Sequence, residues 1–234
     1  MDFRTQLLHR ASGWDMAENP LVQGLQSGRF SREALALYAD RMRQLVDQFP
    51  ILLVRLAAIC PDRGVRQHVL ENLLEEEAFF FQDGRLTGDD TASHSALIRR
   101  FQAELPQPQE DAWSDRNQQL AQWLAQGSWP AVAGFLFIGI EHNAPTTFKK
   151  IIPALRTHYA MGRDALRFFT EHVGADAVHS ARGADLLAAY CCDPESQTLA
   201  LEGASLGGRS WYLLHSLCAR DMSRMNACPT PHSH

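Results

Sequence analysis

A chain of 234 residues with 22 Lys and Arg against 27 Asp and Glu, a net charge of −5 and a pI near 6.0, is long enough to bury a sizeable core in one large domain. The two signs of charge are interspersed, which argues against nucleic acid or an anionic membrane as the main partner. Five cysteines without a C-x-x-C pair indicate neither a disulfide framework nor a zinc knuckle. Met1-Asp2-Phe3-Arg4 lacks the features of a signal peptide, and the longest apolar run, 131–140, is about half a membrane span, so the expectation is a cytoplasmic protein.

Nearly every segment has helical periodicity, and none shows sustained alternation between hairpin turns. The prediction is all α. Phe3, Leu7 and Leu8 suggest a short first helix, and Asn19-Pro20 begins a second. Ser31 caps a long helix in which Leu35, Tyr38, Met42, Leu45 and Phe49 recur at threes and fours. Pro50 ends or kinks it. Pro61-Asp62 starts the next helix, with Val65, Val69, Leu73, Glu76 and Phe80 on one stripe. A carboxylate thus stands in line with apolar residues, and of Glu75, Glu76 and Glu77 at least one faces inward.

Gly84 and Gly88, among Asp83, Asp89 and Asp90, break that helix, and Ser93 caps another through Phe101 with His94 in its first turn. In one straight helix Glu76 and His94 would stand about 27 Å apart; the glycine-rich break permits them to meet. Residues 106–115 read as a polar connection and 118–124 as a modest helix. Ser128-Trp129-Pro130 starts a helix that carries no polar residue from Ala131 to Ile140 and delivers Glu141 at its inner end. An ionised carboxylate there is costly unless paired, hydrogen-bonded or metal-bound. Pro145 lies just beyond, so a solvent position for Glu141 and His142 stays open. Lys149 and Lys150 are either partners for a substrate carboxylate or a solvated face. Helices are expected over 161–180, 182–192 and 195–222, and 226–234 reads as a disordered tail after a single domain spanning 1–225.

The sharpest motif is His172-Val173-Gly174-Ala175-Asp176-Ala177-Val178-His179. Positions i, i+4 and i+7 fall at about 0°, 40° and −20° around a helix, so all three side chains leave one face over roughly 10 Å. Two metal ions about 3.5–4 Å apart fit among them, and imidazole with carboxylate suits Fe, Mn or Zn. A lone helical histidine is more often structural, and Gly174 costs the helix about 1 kcal/mol, so the metal reading needs further ligands. Glu76, His94 and Glu141, with His172, Asp176 and His179, supply three carboxylates and three imidazoles from four helices, a donor set suited to a dinuclear non-heme centre in a bundle. The paired Glu-x-x-His of ferritin-like proteins, a P-loop, a Gly-x-Ser-x-Gly elbow and a Rossmann fingerprint are absent from the sequence.

The order of these ligands resembles the heme-oxygenase-like diiron oxidases and oxygenases, which share a fold with the TenA thiaminases and the pyrroloquinoline quinone synthases. The resemblance runs from Ser31 to about residue 215, through Phe49-Pro50, Glu71-Asn72-Leu73-Leu74-Glu75-Glu76, His94-Ser95-Ala96-Leu97-Ile98-Arg99-Arg100-Phe101, Gly139-Ile140-Glu141 and the closing H-x-x-x-D-x-x-H. It implies a single-domain helical bundle of about seven to eight helices, with Glu76, His94, Glu141, His172, Asp176 and His179 as ligands of two Fe(II) ions. Mn is the alternative metal, and Glu141 is the expected bridge. It also implies O2 as cosubstrate, an external electron donor and a small-molecule substrate. An amino acid or its derivative is the first choice and a fatty acid the second, oxidised by cleavage, decarboxylation or N-oxygenation in specialised-metabolite biosynthesis. Phe79, Phe80, Phe81, Phe135 and Phe137 are candidates for the apolar wall.

Two departures stand out. The relatives place the ligating His about ten residues after the Glu, and here the separation is eighteen. Either the loop is longer or Glu77 or Asp83 substitutes; the retained Leu-Ile-Arg-Arg-Phe context favours the longer loop. The para-aminobenzoate-forming members consume one of their own tyrosines and carry a tyrosine before the bridging Glu, where this chain has Ile140. Two alternatives are a metal-independent enzyme like the thiaminases and quinone synthases, and a non-catalytic helical binding protein with heme on His9. A homodimer stays open.

Overall fold

The computed structural model describes residues 1–107, 122, 124 and 126–227. Its helices are α1 (Phe3–Ala11), α2 (Pro20–Gln26), α3 (Arg32–Ile59), α4 (Arg63–Glu76), α5 (His94–Ala103), α6 (Trp129–Ala133), α7 (Ala144–Tyr159), α8 (Arg167–Tyr190) and α9 (Pro194–Ala227), with a π-helical turn over Gly134–Ile140 directly after α6. The helix starts follow the capping chemistry: Asn19, Ser31 and Ser93 each accept a hydrogen bond from a backbone N–H of the first turn. The predicted all-helical fold holds with one exception. Phe79–Gln82 (β1) and Arg85–Gly88 (β2) pair as an antiparallel hairpin, where an unbroken stripe through Phe80 was expected. Most of 106–124 and the tail beyond 227 lie outside the described residues. Asn226, placed in that tail by the sequence, closes α9 and bonds the Ser31 N–H and the Arg29 carbonyl.

α3 runs through Pro50, so of the two expected outcomes the proline does not end the helix. One helix boundary differs from the sequence-based expectation. α8 is continuous over the predicted break near 181, because Gly183 lets the helix lie against Phe137; a Cβ there would come within 2.6 Å of that side chain.

The π turn is the axis of the site. It is fully buried, and α9 crosses it at backbone contact: a Cβ on Gly139 would lie 2.4 Å from the Gly207 Cα, and one on Gly207 2.5 Å from the Phe135 carbonyl oxygen. Small residues allow this approach, and the extra residue per turn ends with the Glu141 N–H donated to the Leu136 carbonyl at 3.0 Å, an i→i−5 bond. Several polar groups inside the core, away from the site, are paired. Arg41 donates to Asp221 at 2.9 Å, Trp211 Nε1–H to Thr147 Oγ1 at 2.9 Å, and His215 Nδ1 to the Trp211 carbonyl at 2.8 Å.

Burial pushes His215 down from 6.5 to about 4, so between those values the unfolded chain binds a proton that the folded one does not. Its contribution to stability is complete above pH 6.5 and declines as pH falls towards 4. The full loss is on the order of 3 kcal/mol. Urea unfolding from pH 8 to 4.5 should show this decline, and His215→Phe should make it shallower, the other histidines lowered by burial supplying the rest.

Candidate metal centre

The ligand candidates converge because α4 and α8 both reach the segment of the π turn and Glu141, and α5 packs on α8. α4 contributes Glu76 at its last residue, and α8 contributes His172, Asp176 and His179 from one face. The hairpin folds the chain back so that α5 begins beside the end of α4. All six residues are buried.

Three of them meet closely. One donor atom from each of Glu76, His94 and His172 lies within 4.8 Å of the others, and Glu76 Oε2 is 2.6 Å from His94 Nδ1. The eighteen-residue spacing is therefore spanned by the β1–β2 hairpin. Glu77 is half-buried and Asp83 exposed on the turn, and neither belongs to the group formed by Glu76, His94 and His172. Burial pushes Glu76 up, but His94, His172 and His179 outweigh it and hold the carboxyl below its ordinary value. His94 is the converse, raised because Glu76 outweighs burial. His172 Nδ1 bonds the Phe168 carbonyl at 2.8 Å. That orientation leaves Nε2 as its donor atom. Burial and then His94 push its pKa down to about 3, which keeps the lone pair available.

Glu141, Asp176 and His179 are buried beside this group without converging within the same distance. Asn72 Nδ2 donates to Glu141 Oε1 at 2.5 Å, while Glu141 Oε2 is buried with no hydrogen-bond partner. Burial, with Glu76 nearby, pushes the Glu141 carboxyl well above its usual range, and burial with Glu141 does the same to Asp176. His179 Nε2 lies 3.0 Å from Glu75 Oε2, and its Nδ1 is buried without a partner. Orphaned buried acceptors and acids held protonated by one another are costly arrangements. A cation among them relieves both at once, so the residues present fit a metal.

Sequence reasoning missed two members. His68 and Asn72 precede Glu76 at i−8 and i−4 on the buried face of α4. His68 packs on Phe137 at 4.7 Å and stands 6.1 Å from His179 between ring centroids. The spacing His-x-x-x-Asn-x-x-x-Glu was the available signal.

A cavity of about 40 Å³ adjoins the carboxylates, room for roughly two or three water-sized molecules. Besides Glu76, Glu141, His172 and Asp176, its lining is apolar, with Met42, Phe49, Ile140, Phe148, Phe168 and Trp211 prominent. The predicted wall is thus replaced. Phe79, Phe80 and Phe81 are exposed on the hairpin, and Phe135 and Phe137 are buried elsewhere in the core. Lys149 and Lys150 line a separate surface groove with Gln26 and His158. His9 is exposed in the last turn of α1, away from this cavity.

Gly174 sits between His172 and Asp176 with nothing within 4 Å of where a Cβ would lie. Gly174→Ala should therefore stabilise α8 by about 0.5–1 kcal/mol, read as a higher melting temperature with bound metal unchanged.

Comparison with known proteins identifies a family and relatives in fold. Residues 37–212 match a family model described as iron-containing redox enzyme. The chain is similar to 4-aminobenzoate synthases of Chlamydia pneumoniae (25% identical, covering 74% of this chain and 75% of that one) and Chlamydia muridarum (23%, covering 85% and 83%). Among solved structures, a CADD-like protein of unknown function from Nostoc punctiforme superposes with a TM-score of 0.72 at 19% identity, covering 97% of each chain. A domain of unknown function with a heme oxygenase-like fold from Shewanella denitrificans superposes with 0.72 at 13% identity, covering 100% of this chain and 98% of that one. No helix among the described residues is long and apolar enough to cross a membrane.

Proposed function

This chain belongs to the family of iron-containing redox enzymes, and from that premise we propose that it is a non-heme diiron oxidase or oxygenase acting on a small molecule. The observation that carries the reading is the convergence of Glu76, His94 and His172 beside the Glu141 and Asp176 carboxyls at one cavity. Glu76, His94, Glu141, His172, Asp176 and His179 would hold the ions. When bound, a ferrous pair supplies reductive activation of O2.

The chain's own residues do the rest. The Phe168 carbonyl orients His172, Asn72 fixes the Glu141 carboxyl with Oε2 turned free, and the π turn sets that carboxyl against the cavity. Phe49, Phe148, Phe168 and Trp211 keep water from the carboxylates and present an apolar face to a substrate that approaches them. Among amino-acid and fatty-acid substrates this lining favours one whose reacting end is aliphatic or aromatic, with its charged group at the carboxylate end or outside.

The relatives' named activity is not the one proposed. Ile140 lines the cavity in place of the tyrosine that the resemblance leads one to expect, and the Tyr38 hydroxyl is turned to His215 Nε2 at 3.5 Å. Iron-loaded protein given O2 and a reductant should keep its intact mass and form no 4-aminobenzoate. It should consume O2 faster when apolar amino acids or fatty acids are added. Loss of mass from a tyrosine with release of 4-aminobenzoate would overturn this reading.

A further inference from the structure

The hairpin between α4 and α5 leaves four large apolar side chains on the surface within eight residues. Phe79, Phe80, Phe81 and Leu86 are 41%, 47%, 69% and 53% exposed. Its turn is well formed, with Asp83 and Gly84 at φ 51° and 75°, the left-handed pair that suits the twist of a two-residue hairpin. Two strands of four residues are nevertheless marginal in water without a third strand or a packed face.

The register shows which edge is open. Phe79, Phe80, Phe81 and Gln82 face Gly88, Thr87, Leu86 and Arg85, and the Asp89 N–H is donated to the Ala78 carbonyl at 3.1 Å. Hydrogen-bonded and non-bonded pairs alternate in an antiparallel ladder. With Ala78 and Asp89 bonded, Phe80 with Thr87 and Gln82 with Arg85 are bonded too. The N–H and C=O groups of Leu86 and Gly88 therefore point away from β1 along the outer edge of β2. No proline, lysine or bulge blocks that edge.

We propose that this edge pairs with the same edge of a second copy of the chain, antiparallel about a two-fold axis at Thr87, making a four-stranded sheet. The segment Arg85-Leu86-Thr87-Gly88-Asp89 is self-complementary in that register. Leu86 falls opposite Gly88 of the second copy as a hydrogen-bonded pair, twice, which adds about four ladder bonds. Gly88 has no side chain and lies under its own Phe79 ring, within 2.6 Å of a Cβ position, so Leu86 of one copy settles onto Phe79 of the other. On the opposite face Thr87 meets Thr87, and Arg85 meets Asp89. Arg85 has no ion-pair partner among the described residues, and Asp89 uses Oδ1 for Thr91. Threonine pairs and opposite charges directly across a ladder are stabilising. The pairing stands independently of the metal reading.

Sedimentation of the full chain from about 1 to 200 µM should show a reversible dimer. Arg85→Glu sets like charges opposite one another twice and should weaken it by about tenfold or more. Arg85→Glu combined with Asp89→Lys restores opposite charges and should restore the dimer. Thr87→Cys, in a background with Cys192→Ser and Cys228→Ser, should form an intermolecular disulfide under mild oxidation, because facing Cα atoms of a non-bonded pair stand about 4.5 Å apart. Phe81→Cys, on the far strand, should not. A monomer across the whole range, a dimer indifferent to Arg85→Glu, or Thr87→Cys that fails to cross-link overturns the proposal.

Discussion

Glu141→Gln is expected to leave the fold intact while reducing bound iron from about two ions per chain to one or fewer and lowering O2-dependent turnover by at least about 100-fold. The amide keeps the volume and its oxygen still accepts from Asn72 Nδ2, so no cavity opens, and its NH2 group takes the place of Oε2 beside the Glu76 and Asp176 carboxyls. What it loses is the carboxyl whose Oε2 stands buried and unpartnered. With no metal added, the variant should melt at or above the parent temperature, since removing an uncompensated buried acid relieves a desolvation cost. Calorimetry with and without Fe(II) reads this directly. The parent should gain stability from the metal and the variant should lose most of that gain. A variant that still binds two irons and turns over normally would remove Glu141 from the site.

Gly139→Ala should produce the second large effect, through packing. A Cβ at this position would lie 2.4 Å from the Gly207 Cα and 2.9 Å from the Gly208 nitrogen. Backbone cannot rotate aside as a side chain can, so α9 and the π turn must separate. Overpacking of this kind costs about 1–3 kcal/mol or more, a melting temperature lower by roughly 3–10 °C for a chain of this size. Glu141 follows two residues later, so iron affinity should fall with stability. Gly174→Ala, on open helix surface, should move stability the other way with iron unchanged. That pair of glycines separates damage to the site from a general effect of adding a methyl group.

Local geometry explains what was legible in the sequence. His172, Asp176 and His179 share a face because the 3.6-residue period is a property of any helix, and the polar-free run before Glu141 pointed towards burial while Pro145 left a solvent position open. The π turn was not legible. It depends on the close crossing of Gly139 and Gly207, residues 68 apart, and no local pattern reports such a contact. The hairpin had a signal, Asp83-Gly84 between Phe79-Phe80-Phe81-Gln82 and Arg85-Leu86-Thr87-Gly88, but the aromatic run continued the stripe of α4 and read as helix. Read as helix, the same run places Phe79 to Phe81 on a cavity wall that Phe49, Phe148, Phe168 and Trp211 form instead. His68 and Asn72 were passed over because a single buried histidine and asparagine carry no metal signal alone. Their meaning comes from the orphaned His68 Nε2 and the Asn72 bond to Glu141.

Anaerobic loading with Fe(II) followed by metal analysis and Mössbauer spectroscopy tests the dinuclear iron site most directly. Close to two irons per chain in two distinct high-spin environments are expected, reduced to one or fewer in Asp176→Ala. A single iron, or none, in the intact protein under those conditions would contradict it.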